Sequence, residues 1–306
     1  MDVLLKLVIA AIIKNEMSAL LEWIAYHRVL GVDGFIIADN GSNDGSRAFL
    51  NGLERLGIAT VLDFPNVEGQ KPQLPAYERI LRTCSTDIDL LAFIDADEFL
   101  VPLAPEQSIA ASLDKWFSDP SVTAVALNWS NFGSNGELFA EEGLVTERFT
   151  QRAPQQFNAN KNFKSIVRPN SAIHFNNPHH AELRNGRYID TLGNDLVLHP
   201  KHGSGVSEEV IWGEMRVNHY VVKSLEEFLL GKHLRGSAAT ANRVKHKAYF
   251  KAHDRNDETC LLAAALAPKV KAEMAAIQAQ LDALPAEESP QKSDSWLASR
   301  VKKLIG

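Results

Sequence analysis

Four hydrophobic stretches alternate with helical patterns over the first hundred residues of the chain. The continuous apolar runs are typical of buried parallel strands, and they cover residues 7–13, 34–38, 58–62 and 90–94. Between these runs, apolar residues recur at helical spacing from Ser18 to Leu30, from Ser46 onward and over residues 74–82. The alternation predicts an α/β fold with a Rossmann-like, doubly wound, mainly parallel sheet.

The remainder of the chain has a weaker pattern. Short strands are predicted at 122–127, 163–167, 172–175 and 195–199. We expect a loop over 128–134, a helix from Ser224 and a helical tail over 258–284. The predicted organisation is a first domain, 1–235, with a first half of about 1–100 and a second half of about 101–235. A helical C-terminal extension, 236–306, follows it.

Polar clusters follow three of the predicted parallel strands. They are Lys14-Asn15-Glu16, Asp39-Asn40 and the acidic run Asp95-Ala96-Asp97-Glu98. Because ligands of such sheets bind beyond the carboxyl ends of the strands, we expect these clusters to converge on one binding edge.

The run Asp95 to Glu98 places three carboxylates within four residues after a buried strand. Neighbouring carboxylates repel each other, and burying one without a partner is costly, so a cation is expected there. Oxygen ligands suit a hard divalent ion, Mn²⁺ or Mg²⁺, which in turn suits a phosphate-bearing ligand. A solvated strand end is the competing interpretation of an isolated D-x-D motif.

Composition narrows the class of protein. The net charge of −6 lacks the basic character of a nucleic-acid binder, so no nucleic-acid partner is predicted. Only Cys84 and Cys260 are present, which excludes a disulfide framework and favours a cytoplasmic location.

The first apolar stretch is shorter than the roughly 20 residues that span a bilayer. Residues 296–305 are basic and amphipathic and could contact the inner face of a membrane, although a packed or frayed terminus explains them as well.

Several segments together resemble the GT-A glycosyltransferases, in particular family 2-like enzymes and family 92. The resemblance rests on Ile13-Lys14-Asn15-Glu16, Glu22-Trp23-Ile24-Ala25-Tyr26-His27, residues 39–45 and residues 93–99. Residues 129–134 and 219–224 extend it, so that it covers roughly residues 7 to 235. It implies a GT-A fold and transfer of a sugar from a nucleotide sugar to an acceptor hydroxyl. In such a domain, about 1–100 would be the nucleotide-binding half and about 101–235 the acceptor half.

The resemblance also implies site residues. Lys14, Glu16, Asp39, Asp95 and Trp129 would contact the nucleotide-sugar donor. Asp95, Asp97 and His219 would hold the metal ion.

The sequence departs from the family 2 pattern at the catalytic base. The acidic pair that commonly follows the D-x-D motif has no clear copy. His179 and His180, in the turn Asn177-Pro178-His179-His180, are our candidates for the base; the other candidates are Glu141, Glu142, Glu182 and Asp190.

The leading hypothesis is a metal-dependent, inverting glycosyltransferase, with a glycan or a lipid-linked molecule as the acceptor. A non-catalytic nucleotide- or sugar-binding protein is one alternative, kept open by the missing acidic pair. A nucleotidyltransferase is the other, although no glycine-rich basic loop follows the first strand.

Overall fold

A computed structural model describes residues 5–65, 67, 69, 71–104, 108–234 and 245–285. Its strands are β1 Leu7–Ile13, β2 Gly34–Asp39, β3 Ala59–Asp63, β4 Leu90–Phe93, β5 Glu98–Pro102, β6 Val122–Asn131, β7 Gln151–Arg152, β8 Phe163–Val167, β9 Ala172–Phe175, β10 Ala181–Leu183, β11 Arg187–Ile189, β12 Leu198–His199, β13 Gly203–Ser207, β14 Met215–His219 and β15 Glu258–Thr259. Its α-helices are α1 Met17–Val29, α2 Ser46–Arg55, α3 Gln73–Thr83, α4 Ile109–Phe117, α5 Val145–Arg148, α6 Leu225–Phe228, α7 Lys247–His253 and α8 Ala267–Asp282.

One large sheet organises the molecule, with the strand order β3-β2-β1-β4-β8-β6-β14-β5 and β11 added beside β6. The first four strands in this order are all parallel, as the alternating pattern predicts. Strand β8 is antiparallel to both of its neighbours, β4 and β6, whereas β14 is parallel to β6 and antiparallel to β5. The predicted α/β fold with a doubly wound, mainly parallel sheet is confirmed.

The core explains why the apolar runs form these strands. Every residue of β1 is buried, because helices cover both faces of the parallel part of the sheet. One face packs against Trp23 and Tyr26 of α1, and the other packs against Tyr77 of α3. No helix among the described residues is both long and apolar enough to cross a membrane.

Three sequence predictions are corrected by the structure. The helix predicted to begin at Ser18 begins one residue earlier, at Met17, with Glu16 in the N-cap position. Residues 128–131 do not belong to a loop, because β6 continues to Asn131, where β14 supplies a parallel partner. The strand predicted at 195–199 is only Leu198–His199.

The C-terminal part of the described chain is only partly helical. After the short strand β15, helix α8 packs against α1, with its Val270 and Ile277 in the main core and Glu273 bound to Arg28 at 2.6 Å. The predicted boundary between residues 235 and 236 and the predicted membrane contact over 296–305 lie outside the described residues.

Candidate active site at the carboxyl edge of the sheet

The loops after β1 and β2 are joined by hydrogen bonds. The backbone N–H of Asn15 donates to Ser42 Oγ at 3.0 Å, and that of Glu16 donates to Ser46 Oγ at 3.1 Å. Asn15 has a φ of 55°, a left-handed conformation that asparagine adopts more readily than most residues. These bonds fix the Lys14–Glu16 segment beside the turn that follows Asp39, as the strand-end argument predicts.

Asp39 is buried at the end of β2 and is bound within the protein. Its Oδ1 accepts a hydrogen bond from the Ser42 backbone at 3.3 Å, which is the ordinary turn-forming role of aspartate. Its Oδ2 lies 3.4 Å from the Arg47 guanidinium, which also contacts Asp63 at 3.1 Å. The structure therefore places Asp39 at the expected edge with Arg47 as its cationic partner.

Asp95, the first aspartate of the D-x-D motif, faces a buried lysine. The Lys164 ammonium lies 2.8 Å from Asp95 Oδ2, and the side-chain amide of Gln73 donates to Oδ1 at 2.9 Å. Burial alone would lower the pKa of Lys164, but the Asp95 and Glu98 carboxylates raise it well above its ordinary value. Lys164 therefore remains an ammonium at the end of β4.

Glu98 is fully buried below the motif. Its Oε2 accepts the backbone N–H of Asp95 at 2.8 Å and lies 3.3 Å from the Lys164 ammonium. Burial raises the pKa of Glu98 to about 8, despite the opposing effect of Lys164. Through the hydrogen bond that it accepts from the Asp95 N–H, Glu98 shapes the turn that carries Asp95 and Asp97.

Asp97, the second aspartate of the motif, is buried between a lysine and a histidine. Lys232 forms a close ion pair with Oδ2, and Nε2 of His219 lies 3.6 Å from the same oxygen. Burial alone would raise the pKa of Asp97, but Lys232 and His219 hold it well below its ordinary value. The structure therefore brings together Asp97 and His219, as predicted, and adds Lys232.

Trp129 connects the two halves of the site. Its ring centroid lies 4.2 Å from that of His219 and 5.0 Å from that of His179. Within the described residues, Trp129 Nε1 and His219 Nδ1 are buried and have no hydrogen-bonding partner. Such unsatisfied polar atoms cost about 1–3 kcal/mol each in a native protein unless a ligand or water satisfies them.

The two histidines proposed as catalytic bases are already engaged with the protein. His179 Nδ1 contacts the Phe163 carbonyl oxygen at 2.9 Å, and His180 Nδ1 contacts Ser204 Oγ at 2.7 Å. Burial, together with the nearby Lys164, lowers the pKa of His179 to about 3, and burial also lowers that of His180. A histidine with a pKa near 3 is a weak general base at neutral pH.

A cavity of about 330 Å³ opens beside Asp97. Glu16 and Ser18 line it from the start of α1, and Lys232 and Asp97 line it from the opposite side. Its volume falls at the lower end of the range for small-molecule sites. The cavity therefore offers space for a ligand next to the charged pair.

The side chains predicted to hold a divalent ion do not fit one in their present arrangement. Asp95 is bound to Lys164, and the Asp97 oxygen nearest His219 is bound to Lys232. In the part of the chain that the structure describes, no three His, Cys, Asp or Glu side chains form a metal-holding group. Of the predicted metal ligands, Asp97 and His219 lie together, and the Lys232 ammonium already occupies the space beside them.

Lys232 is the site residue that sequence reasoning missed. It lies on a π-helical turn, Leu229–His233, directly after α6, and its position in the sequence carries no motif. The structure also buries Lys164 and Gln73 beside Asp95. The sequence offers one signal for the burial of Lys164. This lysine lies within β8, the predicted strand Phe163–Val167.

The sequence matches the model of glycosyltransferase family 92 over residues 10–229. This segment includes residues 10–13 of β1, the D-x-D motif, Trp129 and His219. The chain belongs to glycosyltransferase family 92.

Curated relatives agree with this assignment. A family 92 protein of Oryza sativa subsp. japonica is 27% identical over 197 residues, which are 62% of this chain and 32% of the relative. A family 92 protein of Ricinus communis is also 27% identical, over 195 residues, which are 60% of this chain and 32% of the relative. The chain spans about a third of the length of the curated relatives it matches.

Solved structures show a more distant likeness. TarS of S. aureus in complex with UDP is 10% identical and has a TM-score of 0.36, covering 54% of this chain and 47% of TarS. Glucosyl-3-phosphoglycerate synthase of Mycobacterium tuberculosis, in complex with Mn²⁺, UDP-glucose and phosphoglyceric acid, is 14% identical with a TM-score of 0.33. That match covers 61% of this chain and 70% of the synthase. A likeness at this level supports neither a ligand nor a mechanism for this chain.

Proposed function

We propose that this protein is an inverting glycosyltransferase that moves a sugar from a nucleotide-sugar donor to a hydroxyl group of a glycan or lipid-linked acceptor. The observation that carries the proposal is the D-x-D motif of a family 92 chain, which borders a cavity at the carboxyl edge of a parallel sheet. Inversion and the type of acceptor rest on the family resemblance alone.

The reaction has a simple balance of bonds. The bond between the anomeric carbon and the diphosphate oxygen breaks, and its electron pair stays with the nucleoside diphosphate. The acceptor oxygen forms the new bond on the opposite face of the sugar, and its proton passes to a base. The site must therefore stabilise the negative charge that develops on the leaving diphosphate.

The unpartnered buried atoms support a ligand in this place. Trp129 Nε1 can donate a hydrogen bond, and the Trp129 ring offers an apolar face beside His219. Sugar rings present both hydroxyl groups and apolar C–H faces, so an indole with a free N–H suits them. We place the donor sugar beside Trp129 and its diphosphate beside Asp97.

The sequence also predicts a dependence on Mn²⁺ or Mg²⁺. Because Lys232 occupies the Asp97 oxygen nearest His219, these residues do not fit such an ion in the described arrangement, and the proposed function does not require one. The cytoplasmic location stays a proposal, based on Cys84 and Cys260, which are both free thiols.

A turnover assay tests the proposed function. The full chain is incubated with UDP-, GDP- and CMP-sugars, each with Mn²⁺ and with EDTA, and release of the free nucleotide is measured. We expect release from one donor and a loss of about 100-fold or more in Asp97→Ala, because the charge that organises the site is removed. Asp87→Ala, which removes an exposed aspartate, is the matched control and should retain full turnover.

The same assay separates the alternatives. Donor binding without turnover identifies a binding protein, and release of pyrophosphate from a nucleoside triphosphate identifies a nucleotidyltransferase. A folded protein that neither binds nor turns over any nucleotide sugar contradicts the proposal.

A further inference from the structure

Each aspartate of the D-x-D motif has its own lysine partner, of which Lys164 is buried and Lys232 is partly exposed. Asp95 pairs with Lys164 at 2.8 Å, and Asp97 forms the close ion pair with Lys232. The two lysines come from separate parts of the chain, β8 and the π-helical turn after α6. The protein itself therefore supplies two positive charges at the place where a divalent ion was predicted to supply them.

Lys232 can contact a ligand in the cavity while it remains paired with Asp97. Its side chain is 17% exposed and lies on the cavity wall, and its ammonium also donates to the Val221 carbonyl at 2.8 Å. Among the described residues, the Lys232 ammonium forms its ion pair with Asp97 while lying on the cavity wall. A ligand in the cavity can therefore contact the same ammonium.

The segment that carries Lys232 is held in place by further polar contacts. Ser224 and Glu227 form a capping box at the start of α6, and Arg148 binds Glu227 at 2.8 Å. The helix then continues into the π-helical turn Leu229–His233. Such turns are rare in proteins overall, and those that occur often lie at functional sites. The turn sets Lys232 against the motif.

Stability alone does not account for a lysine at this position. A buried ion pair is often no more stabilising than apolar side chains of similar volume, because both charges lose their hydration. The pair between Asp97 and Lys232 also lies against the cavity rather than deep in the core. A positive charge at the wall of a cavity can bind a negatively charged ligand.

On the basis of the proposed function, we propose that Lys232 supplies the positive charge to which the diphosphate of the donor binds, so that this binding needs no divalent ion. Asp97 holds the Lys232 ammonium toward the cavity. When the bond to the sugar breaks, the electron pair that remains on the diphosphate oxygen is stabilised by this preorganised ammonium. Lys164 offsets the charge of Asp95 and leaves Lys232 for the ligand.

Calorimetric titration of the full chain with UDP, GDP and CDP tests this inference. Each nucleotide is titrated in EDTA and in Mn²⁺. We expect one of them to bind with the same dissociation constant, within about twofold, in both conditions. In Lys232→Met the binding should weaken by about tenfold or more, which corresponds to at least 1.4 kcal/mol. Lys232→Arg, which keeps the charge, should bind more tightly than Lys232→Met.

Two further variants control for folding and for general charge. Lys232→Met leaves a buried carboxylate unpaired, so the double variant Lys232→Met/Asp97→Asn removes both charges and should bind as weakly as the single variant. Lys271→Met removes a lysine from an exposed ion pair with Glu147 and should bind like the parent protein.

The outcomes are distinct for the two proposals. Nucleotide binding that occurs in Mn²⁺ and disappears in EDTA overturns the role of Lys232 and retains the proposed function. Unchanged binding in the double variant likewise overturns the role of Lys232. No binding of any nucleotide in either condition overturns both.

Discussion

The ammonium of Lys164 lies 2.8 Å from Asp95 Oδ2, with 1% of the lysine side chain exposed and 33% of the aspartate side chain exposed. The same ammonium lies 3.3 Å from the buried Glu98 carboxyl. Lys164 therefore holds together the turn that carries the D-x-D motif from the neighbouring strand, β8. This contact joins the antiparallel part of the sheet to the end of β4.

Lys164→Met should destabilise the protein by about 3 kcal/mol, because it leaves the Asp95 carboxylate without its cationic partner and removes the buried ammonium beside Glu98. Urea unfolding at pH 7 measures the change in the free energy of unfolding. Lys115→Met removes the lysine of an exposed pair with Glu214 and should cost less than about 1 kcal/mol. Equal costs for the two variants would show that burial of the Lys164 pair has no energetic consequence.

A second prediction concerns the response of stability to acid. His27 is fully buried in α1, with Nδ1 placed 2.8 Å from the Trp23 carbonyl oxygen and Nε2 placed 3.2 Å from the Leu100 N–H. This geometry assigns the proton to Nδ1 and keeps the ring neutral, and burial lowers the pKa of His27 to about 3. An unfolded histidine takes up its proton near pH 6.5, so His27 stabilises the fold fully above that pH.

That stabilisation is lost as the pH falls from about 6.5 to 3, because the unfolded state then binds one more proton than the folded state. The contribution of His27 to the free energy of unfolding should fall by about 1.4 kcal/mol per pH unit in this window. Urea unfolding at pH 7, 6 and 5 should show a shallower pH dependence in His27→Gln than in the parent protein. Identical slopes in His27→Gln and in the parent protein would contradict the prediction.

Glu22 illustrates a motif residue whose role is structural. Its buried carboxylate accepts the backbone N–H groups of Val145 at 2.7 Å and Thr146 at 3.0 Å, one on each oxygen. It therefore binds the first N–H groups of α5, which have no partner inside that helix. The segment Glu22 to His27 that contributes to the family resemblance thus fixes a distant helix rather than touching the cavity.

Glu22→Gln should cost about 1–3 kcal/mol despite its similar shape, since an amide offers one acceptor oxygen where two N–H donors need one each. The free energy of unfolding from urea titration measures this cost. Glu54→Gln is the matched control, because a single oxygen of Glu54 accepts the Val61 N–H at 2.8 Å, and it should change stability by less than about 0.5 kcal/mol. A cost that does not exceed that of the control would show that the second acceptor is unnecessary.

The parallel half of the sheet could be predicted from the sequence because its signal is local. Each strand is a continuous apolar run, and the rule that ligands bind at carboxyl ends then brings Asp39, Asp95 and Asp97 to one edge. Strand β5, Glu98–Pro102, was missed because it begins inside the acidic run and is defined by its pairing with β14. Lys232 could not be predicted, because its contact with Asp97 depends on a π-helical turn and on long-range packing.

The end of β6 shows why a turn-forming composition can mislead. Gly133 and Ser134 suggested that the loop begins at Asn128, yet Trp129 pairs with Val217 of β14 and stays in the strand. Gly133 is required for a different reason: a Cβ atom there would lie 2.5 Å from the Arg255 carbonyl oxygen. Gly133 is therefore required by the close approach of the segment at Arg255, a contact distant in sequence that no local pattern predicts.

Trp129→Phe should separate binding from stability. The substitution removes the buried, unpartnered Nε1 atom and keeps an aromatic ring between His179 and His219. Removing an unsatisfied donor offsets much of the lost packing, so we expect the free energy of unfolding to change by less than about 1 kcal/mol. If the donor sugar accepts a hydrogen bond from Nε1, as proposed, release of nucleotide from the donor should slow by about tenfold or more.

Trp116→Phe provides the opposite pattern and completes this test. The buried Trp116 donates its Nε1 hydrogen to the Thr191 carbonyl at 3.3 Å, remote from the D-x-D motif. Its loss removes one of the two hydrogen bonds to that carbonyl and leaves a smaller ring in the core, so Trp116→Phe should lower stability by about 1–3 kcal/mol. Turnover should be unchanged at a temperature where the protein is folded. Because one variant then loses turnover and the other loses stability, the two effects cannot share a cause. Full turnover in Trp129→Phe would remove Nε1 from the donor site and leave only the ring face of Trp129 as a contact.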